Sequence, residues 1–385
     1  MKAARVFALC SLLPLGALAE PEAEPEREGR RVDVGGLPLV SYDSEFGMGL
    51  GLNAALFFRE PGYAPYRYAL TFQGFYMFGG IQSHYVSLDA PRFRGSRFRP
   101  QLFAGYFREA FRPYYGAGNE VLAPPTGDPR FYSSDVRGGS LQGWLEWQFA
   151  DQWRLAGGYG LRLSRISLHP GSLLEQTRPT GSEGGRIGLA SVELAHDTRD
   201  QEASPTRGTR AALAVRGSHP ALGSQFQFLG AGLVISGYKS FLDEPYLVLA
   251  TRFAADALLG DVPFTELSSF GTRSGVSGLG GPSSIRGLPS YRYVGKAKVL
   301  ANVELRSRAY RFRPGDHTLD TWVVLFGEAG RVWADYRPDG KLFHLHGAFG
   351  LGLRFAWEED YILRLDAGVS PEGGLGLYMD FGQLF

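Results

Sequence analysis

Along most of the chain, apolar and polar residues alternate with a period of two. In 361–369, Tyr361, Leu363, Leu365, Ala367 and Val369 share one face, while Arg364, Asp366 and Gly368 share the other. In 342–357, Phe343, Leu345, Phe349, Leu351, Leu353, Phe355 and Trp357 oppose His344, His346, Gly350, Gly352 and Arg354. Segment 299–310 sets Val299, Ala301, Val303 and Leu305 against Asn302, Glu304, Arg306, Arg308 and Tyr310. Segment 66–78 sets Tyr68, Leu70, Phe72, Tyr76 and Phe78 against Arg67, Thr71 and Gln73. Successive side chains of a strand point to opposite faces, so each segment predicts a strand. A soluble half-buried sheet alternates in the same way. What distinguishes these segments is the apolar face, which is large, aromatic-rich, almost uncharged and repeated from one end of the chain to the other. Such a face suits lipid, and a barrel strand spans a bilayer with only about 9–11 residues.

The same reading places strands at 38–43, 46–58, 66–78, 81–91, 98–110, 132–149, 152–168 and 185–198. It continues with 208–218, 224–239, 245–258, 297–311, 320–334, 342–357, 360–369 and 373–385. These 16 segments are an even number, as a closed antiparallel bacterial barrel requires. The expected fold is therefore all-β, a 16-stranded antiparallel transmembrane β-barrel. Short connections at Ala150-Asp151-Gln152, Asp243-Glu244-Pro245 and Glu358-Glu359-Asp360 interleave with longer ones at 111–131, 169–184 and 259–296. Short turns on one side and long loops on the other match a periplasmic and an external face. The 259–296 loop is the longest, and loops of that length in a compact domain are functional or disordered.

Composition narrows the alternatives. Glycine supplies 53 of 385 residues and aromatics another 14%. Disordered chains are poor in aromatics, and the glycines lack the period of three of a collagen. With 40 Lys+Arg against 39 Asp+Glu and no basic block, the chain has no electrostatic footprint for nucleic acid.

At the amino terminus, Lys2 and Arg5 precede an apolar run from Val6 to Leu18, and Ala17-Leu18-Ala19 supplies a small-residue cleavage site. Residues 1–19 read as a secretory signal peptide, cleaved on export. The sole cysteine, Cys10, lies within it; the apolar run continues well past Cys10, which argues against a lipoprotein anchor there. The mature chain then has no disulfide, thiol nucleophile or cysteine metal site. Residues 20–36, with Pro21, Glu22, Glu24, Pro25 and Glu26, read as a disordered periplasmic leader, and 37–385 as the barrel.

Five blocks then resemble one family. The long loop contains Gly280-Gly281-Pro282-Ser283-Ser284-Ile285-Arg286-Gly287-Leu288, and the next strand reads Asn302-Val303-Glu304-Leu305. The strand after it reads Phe326-Gly327-Glu328-Ala329-Gly330-Arg331-Val332-Trp333. Earlier, His196-Asp197-Thr198-Arg199-Asp200 is followed by Pro205-Thr206-Arg207-Gly208. The opening pairs Pro38-Leu39-Val40-Ser41-Tyr42-Asp43 with Gly47-Met48-Gly49-Leu50-Gly51. In this order the blocks resemble the barrel domain of the BamA/TamA outer-membrane assembly family, the bacterial surface antigens.

The resemblance implies that the long loop folds back into the lumen, so that Arg286 meets acidic residues of the inner wall. Period-two counting independently puts Glu304 and Glu328 on that wall. Glu328 stands where the family usually has Asp, one methylene longer. An arginine fork between buried carboxylates makes charge-assisted hydrogen bonds. The plainer reading is that Arg286 is an ordinary loop arginine.

The resemblance further implies an outer-membrane location, lipid contact, a role in protein insertion or translocation, and a weak seam between first and last strands. The expected partners are unfolded outer-membrane protein clients or a separate periplasmic protein, with the barrel itself a monomer. Family members usually carry POTRA domains ahead of the barrel to receive clients, and residues 20–36 are too short for one. The terminal run Leu377, Met379, Phe381 and Phe385, interrupted at Gln383, resembles the signal by which outer-membrane barrels are themselves recognised.

Other constellations carry less. His344 and His346 share a strand face and would suit a metal only with a third ligand; a solvated lumen pair is the simpler reading. No serine stands in a nucleophile setting, so no catalytic residue, metal or cofactor is assigned and no enzyme activity is expected. Arg306, Arg308, Arg354 and Arg364 read as inner-wall cations that pair with Glu304 and Asp366. The alternative function is a passive pore or structural barrel with a partly plugged lumen.

Overall fold

The computed structural model describes residues 29–120, 128–242, 246–313, 315, 317–336, 344–357 and 361–385. The export segment 1–19, residues 20–28 of the expected leader, and the turns at 243–245 and 358–360 lie outside the described residues.

The strands are β1 (Arg31–Asp43), β2 (Gly47–Glu60), β3 (Tyr63–Met77), β4 (Ile81–Asp89), β5 (Phe98–Pro113) and β6 (Ser133–Ala150). They continue with β7 (Trp153–Leu168), β8 (Gly184–Asp197), β9 (Gly208–Ser218), β10 (Phe228–Ser240) and β11 (Leu247–Gly260). The last five are β12 (Ala297–Phe312), β13 (Leu319–Trp333), β14 (His346–Trp357), β15 (Tyr361–Ser370) and β16 (Gly374–Phe381). Each is antiparallel to its chain neighbours and β1 also pairs with β16, so the 16 strands form a closed barrel.

Closure follows from the pattern of the side chains. Outward residues are apolar and exposed, as with Phe349 at 64% and Leu325 at 53%, because lipid takes the place of a second protein layer. Inward residues of the same strands, such as Asn302, Glu304, Arg354 and Arg364, are buried. Away from the short β1–β16 seam, the closed sheet leaves no backbone edge to face the hydrocarbon. The segment between β11 and β12 enters the lumen and builds its own apolar cluster: Phe270, Leu279, Ile285 and Leu288 pack with wall residues Val234, Ala254, Leu300 and Val332.

The wall departs from the alternation-based reading in three places. First, β1 begins at Arg31, so residues 31–36 of the expected leader are strand and β1 has 13 residues. Alternation places the start of the strand at Pro38, yet Gly35, Gly36 and Leu37 already pair with Ala55, Ala54 and Asn53 on β2. Asp33 in that stretch accepts a 2.6 Å hydrogen bond from Arg59 Nε. Second, the β12–β13 register shifts between Arg308 and Tyr310. That bulge inserts one residue and turns Tyr310 outward, 63% exposed, instead of into the lumen. Third, β16 ends at Phe381. Gly382 takes a φ of 81°, and the tail turns into the barrel.

Candidate functional site

Arg286 joins the lumen loop to the inner wall. It is wholly buried, at 0% exposure. Its Nε donates to Glu328 Oε1 at 2.9 Å and its Nη1 to Asp366 Oδ2 at 2.9 Å. Nη2 lies 3.0 Å from Glu304 Oε1 and 2.8 Å from Glu328 Oε1, and the backbone N–H donates to Glu328 Oε2 at 2.5 Å. The guanidinium sits 3.3 Å above the Phe326 ring centre. One loop side chain is thus held by three strands: Glu304 on β12, Phe326 and Glu328 on β13, and Asp366 on β15.

Further cations complete the neutralisation. Arg306 Nη2 lies 2.9 Å from Glu304, and Arg354 Nη1 lies 2.7 Å from Asp366. Arg364 approaches both Asp366 and Asp380 at 3.4 Å. Arg308 pairs instead with Asp320, at 3.8 Å; Asp320 lies on β13 two residues from Trp322, the register partner of Arg308. Asn302 donates to Glu328 at 3.0 Å and to the Ser284 carbonyl at 2.7 Å, which ties the loop backbone to the wall.

Glycines set the loop's path. Gly280 has a φ of 116°, and a Cβ there would stand 1.9 Å from the Pro289 carbonyl oxygen. Gly287 has a φ of 102°, and its Cβ would stand 2.8 Å from the Gly368 carbonyl oxygen on β15. Gly281 N–H donates to the Leu288 carbonyl at 2.9 Å, closing a tight turn whose buried apolar residues are Ile285 and Leu288. Gly330 clears the Leu279 side chain, which a Cβ would approach to 2.9 Å.

The loop also touches both sides of the barrel seam. Gly287 N–H donates to the Tyr378 hydroxyl of β16 at 3.1 Å, and Ser290 N–H donates to Glu45, in the β1–β2 turn, at 2.9 Å. The seam itself pairs only Tyr42 with Met379 and Asp43 with Tyr378. Ser44 extends it by one bond, its N–H donating to the Leu377 carbonyl at 3.0 Å. By contrast β1 pairs with β2 along its whole length, and β15 pairs with β16 from Leu363↔Phe381 to Ser370↔Gly374. From Arg31 to Ser41, β1 has no β16 partner in the ladder.

The tail occupies the lumen beside this gap. Arg252 donates to the Leu384 carbonyl at 3.3 Å and lies 4.9 Å from the Phe385 ring centre; Arg306 donates to a main-chain oxygen of Phe385 at 3.1 Å. Phe385 therefore does not continue the outer face of Leu377 and Phe381.

At the β8–β9 turn, Arg199 makes two hydrogen bonds to Asp197, at 2.9 and 2.8 Å. Asp200 accepts from Thr206 N–H at 3.0 Å, Gln201 N–H at 3.0 Å and Arg207 N–H at 3.2 Å. Burial alone would push the Asp200 carboxyl up, but these hydrogen bonds and that of the Thr206 hydroxyl outweigh it and hold it below the usual carboxylate range. Pro205 is buried in the turn, and Gly208, with a φ of 95°, avoids a 2.2 Å clash with the Thr198 carbonyl.

His344 and His346 do not form a solvated pair. His346 is buried, stacked 3.6 Å from the Tyr293 ring, with its Nδ1 2.7 Å from Glu372 and its Nε2 3.1 Å from the Asn119 carbonyl. Among the described residues no cluster of His, Cys, Asp or Glu is suited to a metal ion.

Alternation marks Asp366 as an inner-wall residue, but nothing in the sequence joins it to Arg286, 80 residues away; only the closed barrel brings them together. Glu45, Ser290 and Tyr378 carry no sequence signal at all.

Comparison with known proteins agrees with this geometry. The barrel is similar to a BamA from Haemophilus ducreyi lacking POTRA domains 1–3, with a TM-score of 0.62 and 18% identity over 93% of this chain and 70% of that one. It is also similar to CdiB from Escherichia coli, with a TM-score of 0.57 and 14% identity over 93% of this chain and 68% of that one. At these identities the likeness concerns the fold. No curated protein sequence matches the chain. Residues 45–359 match the Omp85 superfamily domain, and with that match over most of its length the chain belongs to the Omp85 superfamily.

Proposed function

We propose that this barrel resides in the outer membrane and helps to insert or translocate proteins there, by lending the edge of β1 to an incoming strand. The observation that carries the reading is the seam, where β1 meets β16 through two residue pairs while its remaining eleven residues leave one backbone edge without a strand partner. An unpaired strand edge is a template for strand addition. The shortening of the wall supports it. β14, β15 and β16 have 12, 10 and 8 residues, and β16 falls below the roughly 9–11 residues of a full span, so the wall is low beside the opening, a mismatch that a bilayer meets by thinning. The docked loop supports it too, since it holds β15, β16 and the β1–β2 turn together from inside and leaves the opposite end of the seam free.

A passive pore is the weaker reading, because the loop and its ion pairs fill the lumen beside β11 to β16. The test is the folding of an unfolded eight-stranded outer-membrane protein into liposomes that contain the purified chain. Folding at least several-fold faster than in empty liposomes is expected. Equal rates, together with a large steady conductance, would favour the pore.

A further inference from the structure

We infer that Pro38 is the residue that keeps the seam open, acting with Gly382 as a stop against further pairing of β1 with β16. The direction of the backbone groups is the ground for this. Ser44 N–H donates to Leu377 across the seam, and the Asp43 carbonyl accepts from Phe46 N–H within the β1–β2 turn. Even-numbered residues of β1 therefore turn their N–H and C=O towards β16, and odd-numbered ones towards β2. The β1–β2 register runs from Arg31 to Asp43 without a shift, so this alternation holds along the whole strand. Pro38 then faces the seam with a ring nitrogen where every other seam-facing residue of β1 offers a donor.

The seam register identifies what this blocks. Continuing from Tyr42↔Met379, Val40 would meet Phe381 and Pro38 would meet Gln383 in a pair that exchanges two hydrogen bonds. Pro38 can supply only the carbonyl half, and its ring stands in the position of the other bond. The chain leaves the sheet immediately before that pair, at Gly382, whose φ of 81° suits glycine and whose N–H donates to the Ile362 carbonyl of β15 at 2.8 Å. Beyond it, Gln383, Leu384 and Phe385 find partners inside the barrel: Arg354 Nε donates to Gln383 at 3.3 Å, and Arg252 and Arg306 hold the main-chain oxygens that follow. Pro38 removes the reason to zip, and the lumen arginines give the tail an alternative. The stretch of β1 between Val32 and Gly36 remains for an incoming strand, with seam-facing donors at Val32, Val34 and Gly36.

The use of that stretch by an incoming strand rests on the strand-addition reading above; the stop at the seam does not. The test is Pro38→Val, which restores the N–H in a residue suited to strands. A cysteine pair, Leu37→Cys with Leu384→Cys, reports the extended register in proteoliposomes, with the sole native cysteine changed by Cys10→Ser. With Pro38 present, disulfide formation is expected to stay at background. In the Pro38→Val variant it is expected to rise at least fivefold, and Gly382→Val, which disfavours the inward turn, should raise it in the same direction. Heat-modifiable gel mobility confirms that each variant is folded. Folded variants that leave the disulfide yield at background would overturn the inference. If the yield rises while client folding in the same vesicles is unchanged, the stop stands and the strand-addition reading fails. A rise accompanied by slower client folding supports both.

Discussion

Arg286 is a single side chain on which the position of a whole loop depends. Its guanidinium faces Glu304, Glu328 and Asp366, all fully buried at the side chain. Arg306, Arg354 and Arg364 still serve Glu304 and Asp366 without it, but Glu328 loses the arginine it faces. Breaking a buried ionic network of this kind costs about 3–5 kcal/mol. Arg286→Ala should therefore release the loop while the wall, whose hydrogen bonds are independent of it, remains closed. Limited proteolysis of intact proteoliposomes is expected to cut the variant within 262–296 at least tenfold faster than the parent. Arg286→Lys should behave much the same, because a compact ammonium cannot reach three carboxylates arranged around a planar fork. The residues of this centre are partly legible in the sequence. Glu304 and Glu328 fall on the inner face by counting alone, whereas Asp366 becomes a partner only when β15 closes against the loop. Phe385 shows the opposite failure. Its hydrophobicity fits the outer face of β16, but Gly382 turns the chain before it, and two guanidinium groups inside the barrel receive it.

At the scale of elements, alternation identifies strands well wherever one face meets lipid, since the pattern there is strict. It fails where glycine or a bulge interrupts the count: Gly35 and Gly36 carry no side chain to alternate, so the first half of β1 is hidden, and one inserted residue reverses the face of Tyr310. The β8–β9 turn offers a pH-dependent test of local structure. Asp200 is held as a carboxylate by its hydrogen bonds, so its folded-state value lies below its unfolded one. The stabilisation it gives is present above the ordinary aspartate value of about 3.9 and is lost as pH falls through the lower, folded value. Hydrogen exchange at the Thr206 and Arg207 amides should remain slow at pH 5 and quicken only below about pH 4. Asp200→Asn should quicken it already at neutral pH. Gly287→Val tests the loop path in the same spirit: its φ of 102° and the nearby Gly368 carbonyl leave no room for a side chain, so external proteolysis of the loop should match that of Arg286→Ala.

At the scale of the molecule, the barrel is asymmetric. On the side of β11 to β16 the lumen is packed with the loop, its ion pairs and the tail, whereas beside β6 to β9 a cavity of about 230 Å³ remains, lined by Trp144, Arg162, Arg216, Glu266 and Arg273 among others. Arg273 anchors the loop across that space, donating to Glu146 at 2.7 Å. A lumen so filled should conduct weakly in planar bilayers, and release of the loop by Arg286→Ala should raise the conductance severalfold. Function, however, is proposed to reside at the seam. Tyr42 and Met379 are paired across it, and the separation of about 5.5 Å typical of such a pair lies within the reach of a disulfide. The decisive measurement is therefore client folding in liposomes that contain the double variant Tyr42→Cys, Met379→Cys, compared before and after reduction. If an incoming strand must separate β1 from β16, the oxidised barrel should fold the client no faster than empty liposomes, and reduction should restore the acceleration. Equal acceleration by the oxidised and reduced barrels would show that the seam need not open.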